Sequence, residues 1–385
     1  TVELDDTDKL RLLCADARRF GVTFEAPDVN RGGFRFEPVG PRRVRYGLGA
    51  IKGTGQGAIE AVVAARDGQG GGPFRSLFDF AARVDRQRVN KRVVEALVKA
   101  GAFDAVHPDR AAALASVGLA FEWAEAQAAH VHQAGLFDFG PDDVDRHAAS
   151  TYEPPLVAAE PWGVRERLTL EKAALGFHLS GHLFDVCATE VRRFARRPIA
   201  DLAESREPQV VAGIVADLRL VNRQRGRVAI FRLDDGSASI AGEIDEERYD
   251  ECREWLRDDE LVVVQGRVQF DNFTGSLRVL VSQLWDLAAA RCRFARYLRV
   301  DVDGETPPVA ELLREFPVRR VRTDDGEWVQ GLKVRLLLQR ERAVGELDLG
   351  DAARFFPSDA ALERWARCTR GGARLVYDAE AEALH

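Results

Sequence analysis

The chain has 385 residues, 46% hydrophobic and 30% charged, with a formal net charge of −7. That length allows two to four domains, and the absence of an 18-residue apolar run or a secretory leader argues against a membrane span or an exported protein, so a soluble, intracellular protein is expected. The charge is uneven: residues 31–110 carry 15 Lys/Arg against 8 Asp/Glu, a net of +7, which leaves −14 on the other 305 residues. A local basic patch of this kind is what phosphate contacts require, whereas the acidic remainder suits protein partners or solvent.

Cys14, Cys187, Cys252, Cys292 and Cys368 are too scattered for a disulfide framework, and no CxxC or Cys/His cluster points to zinc. His178 and His182 have metal-compatible helical spacing but lack the Glu of HExxH, which favours a packed or solvated pair. Methionine is absent altogether, which composition does not explain; residues missing from the sequence would shift helical spacings by one.

Residues 6–20 place apolar groups at 10, 13, 17 and 20, a helix that Gly21 ends. The abrupt start at Thr1 suggests a longer polypeptide. Pro27, Asn30, Gly32 and Gly33 mark a looped passage, with Phe34 and Phe36 set to meet an apolar neighbour. Residues 46–66, YGLGAIKGTGQGAIEAVVAAR, are the stretch around which the rest of the chain is organised. Glycines at 47, 49, 53, 55 and 57 lead into an apolar-periodic helix starting near Ala58, which reads as a helix-hairpin-helix. Such glycines let a ligand approach the backbone, and the unpaired N–H groups of a helix start favour an anion, a nucleic-acid phosphate above all. A dinucleotide turn would need a preceding strand in a βαβ unit, and a P-loop would need Lys-Ser/Thr after the last glycine; neither is present. The plain alternative is a Gly-rich connector between packed helices.

Residues 68–73 form a loop, and 74–84 are amphipathic around Leu77, Phe78 and Phe80. Val89, Val93, Leu97 and Val98 share a helical face, Gly101 breaks it, and a helix restarts near Pro108 and Asp109, a second and more divergent helix-hairpin-helix. Arg86, Arg88, Lys91, Arg92 and Lys99 supply positive charge beside it. Residues 111–132 are Ala-rich helix, expected to end at Gln133 so that Gln133, Leu136 and Phe137 stand on a loop. Two apolar side chains and one amide have the form of a short linear anchor; packing back onto the domain is the alternative. Pro154, Pro155, Pro161 and Trp162 mark a linker, residues 163–178 a helix, and Leu183 and Phe184 enter a core.

From Gln209 the hydrophobic period becomes two. Three strands, a helix over 245–257 and two further strands come next, with Asp234-Asp235-Gly236 as a tight turn, the order of an OB-fold barrel. Such barrels bind single strands through aromatic platforms and basic groups, for which the candidates are Arg219, Arg223, Arg225, Arg227, Phe231, Phe270, Phe273 and Arg278. From residue 288 onward, strand patterns at 293–300, 332–339 and 373–377 alternate with helices near 307–316 and 358–367. That module has no chemical constellation and reads as a docking unit or a structural cap.

The order of segments resembles the C-terminal part of the bacterial replicative DNA polymerase III alpha subunits, from residue 4 to about 377. The likeness rests on PDVN at 27–30, the stretch 46–66, VNKRVVEALVKAGAFD at 89–104, PDRAAAL at 108–114, QAGLFD at 133–138 and EKAALGFHLSGHLFD at 171–185. It continues through LDDGSASIAGEI at 233–244, VQGRVQFDNFTGSLRV at 264–279 and PSDAAL at 357–362. The resemblance implies that residues 1–45 close a preceding, fingers-like domain and that 46–140 are a tandem helix-hairpin-helix domain ending in a clamp-binding peptide. Beyond them it implies a linker and helical segment at 141–207, an OB-fold domain at 208–287 and a clamp-loader (tau) binding module at 288–385. The fold class expected is therefore multidomain: an all-α tandem helix-hairpin-helix domain, an all-β OB-fold barrel and a small α+β C-terminal domain.

On this reading Lys52, Gly53, Thr54, Gly55, Gln56, Gly57, Arg88, Lys91, Arg92 and Gly101 hold the backbone of primer-template DNA behind the junction. Gln133, Leu136 and Phe137 anchor the beta sliding clamp, the OB domain lies near the single-stranded template, and the last module binds the tau subunit. The proofreading exonuclease would contact the part preceding Thr1. Family members often carry Met after the Asp of QAGLFD, whereas Asp138 here precedes Phe139, and His182-Leu183 replaces the usual His-Pro. The family's palm aspartates and php domain have no counterpart, and Asp5-Asp6, Asp234-Asp235 and Asp258-Asp259 lack the placement of a two-metal site. No catalytic or metal-binding residue is therefore expected in these residues; the parent would use Mg²⁺ for attack of the primer 3′-hydroxyl on the α-phosphate of a nucleotide. An error-prone paralogue, a non-polymerase protein joining helix-hairpin-helix and OB domains such as a ligase, and a scaffold without nucleic-acid contact are the competing readings.

Overall fold

The structure, a computed structural model, describes residues 7–137, 152–223, 226–302, 307–323, 326–340, 343–369 and 372–377. The chain divides into two compact units, Thr1–His182 and Leu183–His385.

In the first unit α1 (Thr7–Arg19) buries Leu10 and Cys14, and Gly21 closes it at φ 77°. Three short strands come after it, β1 (Thr23–Glu25), β2 (Glu37–Gly40) and β3 (Arg43–Arg45), in the order β1-β3-β2. Phe24 and Phe36 from this sheet meet edge to face at 6.4 Å, and Phe36 meets the buried Tyr46 at 4.6 Å. A 3-10 turn at Leu48–Ala50 leads to α2 (Gln56–Asp67), α3 (Leu77–Arg83), α4 (Lys91–Lys99), α5 (Arg110–Phe137) and α6 (Val164–Leu175). Ser76 and Asn90 accept the N–H of Asp79 and Val93, satisfying free donors at the starts of α3 and α4.

One core joins Leu10 and Cys14 to Tyr46, the buried faces of α2 to α5, and Leu175. Its surroundings correct the fold class expected from the sequence. The hairpins themselves, from Leu48 to Phe137, are all-α as expected, but the compact unit is not, because the β1-β3-β2 sheet at residues 23–45 packs its aromatics on the same core. Strands of three and four residues are too short to announce themselves by alternation. The first hairpin also has only the 3-10 turn where a full helix is expected. Gly135 does not end α5, which runs to Phe137; a single helical glycine costs about 1 kcal/mol, too little to stop an Ala-rich helix.

The second unit opens with short helical turns, Leu183–Val186 and α7 (Ala188–Val191), and continues into β4 (Gln209–Arg223), β5 (Gly226–Asp234), β6 (Ser239–Asp245), α8 (Glu246–Cys252), β7 (Leu261–Asp271) and β8 (Ser276–Trp285). The strands form a closed barrel in the order β4-β5-β6-β8-β7. Its seams are unequal: β4 and β7 pair antiparallel over residues 209–214 and 261–266, whereas β6 and β8 pair in parallel only over 241–243 and 278–280. The helix expected over 245–257 is α8, shorter than expected, which lies between the third and fourth strands and places Cys252 in the barrel core, so the label all-β holds for the strands alone. At the β5–β6 turn the buried Asp235 accepts Arg192 Nη2 at 2.5 Å, Ile199 N–H at 2.8 Å and Ser237 Oγ at 2.6 Å.

Beyond the barrel, α9 (Leu287–Phe294) occupies the start of the stretch expected to be strand, so β9 begins only at Tyr297 (Tyr297–Val302). Then come α10 (Val309–Glu315), the hairpin β10 (Arg319–Thr323) and β11 (Gly326–Gln330), β12 (Leu332–Arg340), β13 (Ala343–Asp348), β14 (Arg354–Phe355), α11 (Asp359–Cys368) and β15 (Ala373–Val376). The main sheet runs β13-β12-β9-β15 over a core of Leu298, Val334, Phe355 and Trp365. Buried Arg291 ties this module to the barrel's entry, donating to Glu190 at 2.7 and 2.8 Å and to Asp359 at 2.6 Å.

Two buried charges generate stability predictions. Arg110 grips Asp104 at 2.7 and 2.6 Å and reaches Glu171 at 3.2 Å, and Glu171 also accepts the N–H of Leu179 and Ser180. Removing the arginine strands a fully buried carboxylate, so Arg110→Ala should lower the unfolding free energy by about 3–5 kcal/mol in a urea titration. For Asp235, burial alone would raise the pKa, but the hydrogen bonds from Ser237, Ile199 N–H and Arg192 outweigh it and hold the carboxyl below its ordinary value. A group depressed in the folded state stabilises fully above its unfolded pKa, about 3.9, and loses that contribution as pH falls through the folded pKa. Unfolding measured from pH 5 downward should therefore show a steeper loss of stability in the native chain than in Asp235→Asn.

Candidate nucleic-acid interface

Ile51 and Leu48 are fully buried and anchor the approach to the glycine loop. The Lys52 N–H donates to Ala174 O at 2.8 Å, which fixes the loop on α6 while the lysine side chain stands exposed. Gly53 then turns the chain at φ 84°, a left-handed conformation that side chains resist. Thr54 goes inward: only 7% exposed, its hydroxyl lies 2.8 Å from Leu48 O and 2.7 Å from Ile51 O and shares its proton between them. Thr54 therefore shapes the loop and does not face a ligand.

Gly55, Gln56 and Gly57 are exposed, and among the described residues their N–H groups have no partner in the protein. They open the twelve-residue α2, whose first turn holds no acidic residue, so its positive end is uncompensated. A Cβ placed on Gly55 or Gly57 meets nothing within 4 Å. Packing within the protein thus does not require glycine at either position.

The second hairpin is built differently. Gly101 is buried at φ 83°, and a Cβ there would lie 2.2 Å from Arg110 Nη2. Its N–H donates to Val98 O, and those of Ala102, Asp104, Val106 and His107 also stay within the turn. It is a closed turn clasped by Arg110, which places Gly101 apart from the exposed loop. Of the cations beside it, Arg88 lies 3.6 Å from Asp85 and Lys91 3.8 Å from Glu122, both exposed pairs worth little. Arg92 is exposed and makes no ion pair among the described residues.

Much of the basic count in this region is spent internally. Arg66 donates to Val29 O and Gly32 O, Arg83 donates to Ala65 O and Gly72 O while lying over Phe74, and Arg45 joins Glu25 and Glu37.

In the barrel, Phe231 is 1% exposed and belongs to the core, so it offers no stacking platform. Alternation alone does not say which face of β5 points inward. Arg223 pairs with Glu243 at 2.9 Å and Arg227 with Glu246 at 3.6 Å; Arg225 lies outside the described residues. Arg219 is exposed, Phe270 is half exposed, and Phe273 at the β7–β8 hairpin tip is 97% exposed. Arg232, not singled out from the sequence, faces out two strands from Arg278; the parity that buries Phe231 is the signal that finds it. Gln133, Leu136 and Phe137 fall in the last turns of α5, and their side chains lie outside the described residues. No group of three or more His, Cys, Asp or Glu suited to a metal occurs among the described residues, so no step through Mg²⁺ is assigned to them.

Residues 21–113 match the family model of a helix-hairpin-helix motif, and residues 209–287 match that of an OB-fold nucleic acid binding domain. The two matches define a chain in which a helix-hairpin-helix unit is followed by an OB fold. Over nearly its whole length this chain resembles the DNA polymerase III alpha subunits. It is 38% identical to that of Neisseria meningitidis serogroup B over 77% of this chain and 25% of the subunit. It is 35% identical to that of Vibrio cholerae and 31% identical to that of Escherichia coli K12, each over 94% of this chain and 31% of the subunit. The chain thus spans about a quarter to a third of the relatives it matches.

Gly57→Ala separates a ligand-facing glycine from a structural one. With open space at its Cβ and an unstrained backbone, the substitution should leave the melting temperature equal or slightly higher, a gain of at most about 0.5–1 kcal/mol. Duplex affinity, measured by fluorescence anisotropy, should fall, because a methyl group would crowd an approaching phosphate.

Proposed function

We propose that this chain is the DNA-gripping and partner-docking C-terminal portion of a DNA polymerase III alpha subunit, whose preceding part carries 5′–3′ template-directed synthesis with Mg²⁺. The observation that carries this reading is the exposed turn at Gly55, Gln56 and Gly57, whose amides, at the positive end of α2, have no partner among the described residues, with the exposed Lys52 side chain beside it. Amides at a helix start hold a phosphate without reading a base, as a replicase moving over every sequence requires.

In this role Lys52, Gly53, Gly55, Gln56, Gly57, Arg88, Lys91 and Arg92 hold the duplex behind the primer terminus, with Thr54 and Gly101 maintaining the turns. Such contacts contribute nothing to bond making; they slow dissociation between catalytic cycles. Gln133, Leu136 and Phe137 engage the sliding clamp, the barrel lies along the single-stranded template, and the module of residues 288–385 docks the tau subunit. The proofreading exonuclease binds the preceding part. The module with its own core at Leu298, Val334 and Trp365 favours the replicative subunit over an error-prone paralogue. The work takes place in the cytoplasm at the nucleoid; among the described residues no helix is long and apolar enough to cross a membrane.

Duplex binding by the chain should weaken steeply with salt, and Lys52→Ala should reduce the slope of log K against log salt by about 0.9, one phosphate's share. An affinity indifferent to salt in an anisotropy titration would contradict the reading. Leu136→Ala combined with Phe137→Ala should abolish binding to the sliding clamp in surface plasmon resonance while leaving duplex binding intact.

A further inference from the structure

The tetrapeptide Arg-Phe-Ala-Arg occurs twice, at 193–196 and 293–296, and the fold of the second unit brings the two copies together. The rings of Phe194 and Phe294 lie face to face, 4.9 Å apart and within 5° of parallel, flanked by Tyr377 at 5.6 Å and Trp285 at 5.5 Å. Ala195 is buried and Ala295 partly so. Each copy is thus seated by its middle pair, while its outer residues, Arg193 and Arg196, Arg293 and Arg296, are exposed, as is the adjoining Arg197. Residues 191–197 hold four arginines and residues 290–299 another four, with no Asp or Glu in either stretch.

The carboxylates around the stack are committed to other groups. Glu190 accepts Arg291 at 2.7 and 2.8 Å and the Tyr377 hydroxyl at 2.6 Å. Asp235 holds Arg192, which also donates to Ala195 O at 3.2 Å and Arg197 O at 3.1 Å and so fixes the backbone that carries the first copy. Arg193, Arg197 and Arg293 make no ion pair among the described residues. Like charges crowded together repel, a cost that a bound anion offsets.

The rings cover one another and are hemmed by Trp285 and Tyr377, so they offer no platform of the kind on which single strands stack. What is left for recognition is charge and the guanidinium fork, which takes a carboxylate through two parallel hydrogen bonds, as Arg291 already does with Glu190. Each basic stretch is also short, bounded by Glu190 and Asp201 in one case and by Asp286 and Asp301 in the other. That suits a brief run of carboxylates better than a continuous chain of phosphates.

We infer that the paired copies form a docking surface for an acidic segment of a partner protein, with Arg193 and Arg293 each gripping a carboxylate and Arg197 adding charge. The surface is additional to those assigned above and does not depend on them.

The test uses the whole chain and a fluorescein-labelled decapeptide of alternating glutamate and alanine, with binding followed by anisotropy. The native chain should bind it with an affinity that falls as salt is added. Arg193→Gln with Arg293→Gln should weaken binding about tenfold. Arg293 also offsets the negative end of α9, so Arg193→Gln with Arg197→Gln, which leaves that helix untouched, decides the matter if the first pair does not fold. Arg253→Gln with Arg257→Gln removes the same charge from exposed positions elsewhere and should leave the affinity unchanged. No binding by the native chain, unchanged affinity in the folded Arg193 variants, or an equal loss in the control would overturn the inference. So would a larger loss for a labelled oligothymidylate or duplex than for the peptide, which would make the surface a nucleic-acid contact.

Discussion

The first unit's capacity to meet a ligand depends on how residues 51–57 are pinned. A threonine hydroxyl turned inward onto Leu48 O and Ile51 O, and a lysine amide tied to Ala174 O, fix the chain on both sides of Gly53. Beyond Thr54, the amides of Gly55, Gln56 and Gly57 have no partner among the described residues and stand at the start of α2. Ala174 belongs to α6, and α6 is held through Glu171 by Arg110, which clasps the second turn around Gly101. The two hairpins therefore divide the work: the second buttresses the helix against which the first holds its open loop. Symmetric use of both hairpins, which the sequence suggests, does not fit a second turn whose amides are already paired.

Local charge has to be read with the same attention to partners. A net of +7 over residues 31–110 points to the right part of the chain. Arg45, Arg66, Arg83 and Arg110 are nonetheless bound to carboxylates or to backbone carbonyls, so a polyanion meets fewer groups, among them Lys52, Arg92 and the exposed Arg35, Arg75, Arg86, Arg88 and Lys91. An arginine can satisfy several carbonyls at once, and loops rich in glycine expose the carbonyls that need it.

The same physics decides which features the sequence discloses and which it hides. Period-two alternation from Gln209 marks five barrel strands within a few residues, and caps at Ser76, Asn90, Asp286 and Ser358 have side chains that signal helix starts. Strands as short as Thr23–Glu25 have too few residues for any period, and the paired strands Arg319–Thr323 and Gly326–Gln330, RRVRT and GEWVQ, are too short and too polar to show one. Phe231 misleads because alternation specifies two faces without saying which is inside; that needs the partner strand. Glycines pose the converse problem. Gly53, Gly57 and Gly101 look alike in the sequence, yet one makes a left-handed turn in open space, one has an ordinary helical backbone with an empty flank, and one is required by Arg110.

The most direct test of the account is to record amide nitrogen–proton correlation spectra of the chain while a short DNA duplex is added. The N–H resonances of Gly55, Gln56 and Gly57 should move most, with Lys52 and Gly53 close behind, while those of Gly101 and Ala102 stay in place. Shifts centred on another surface, with the amides of 55–57 unmoved at saturating duplex, would contradict it.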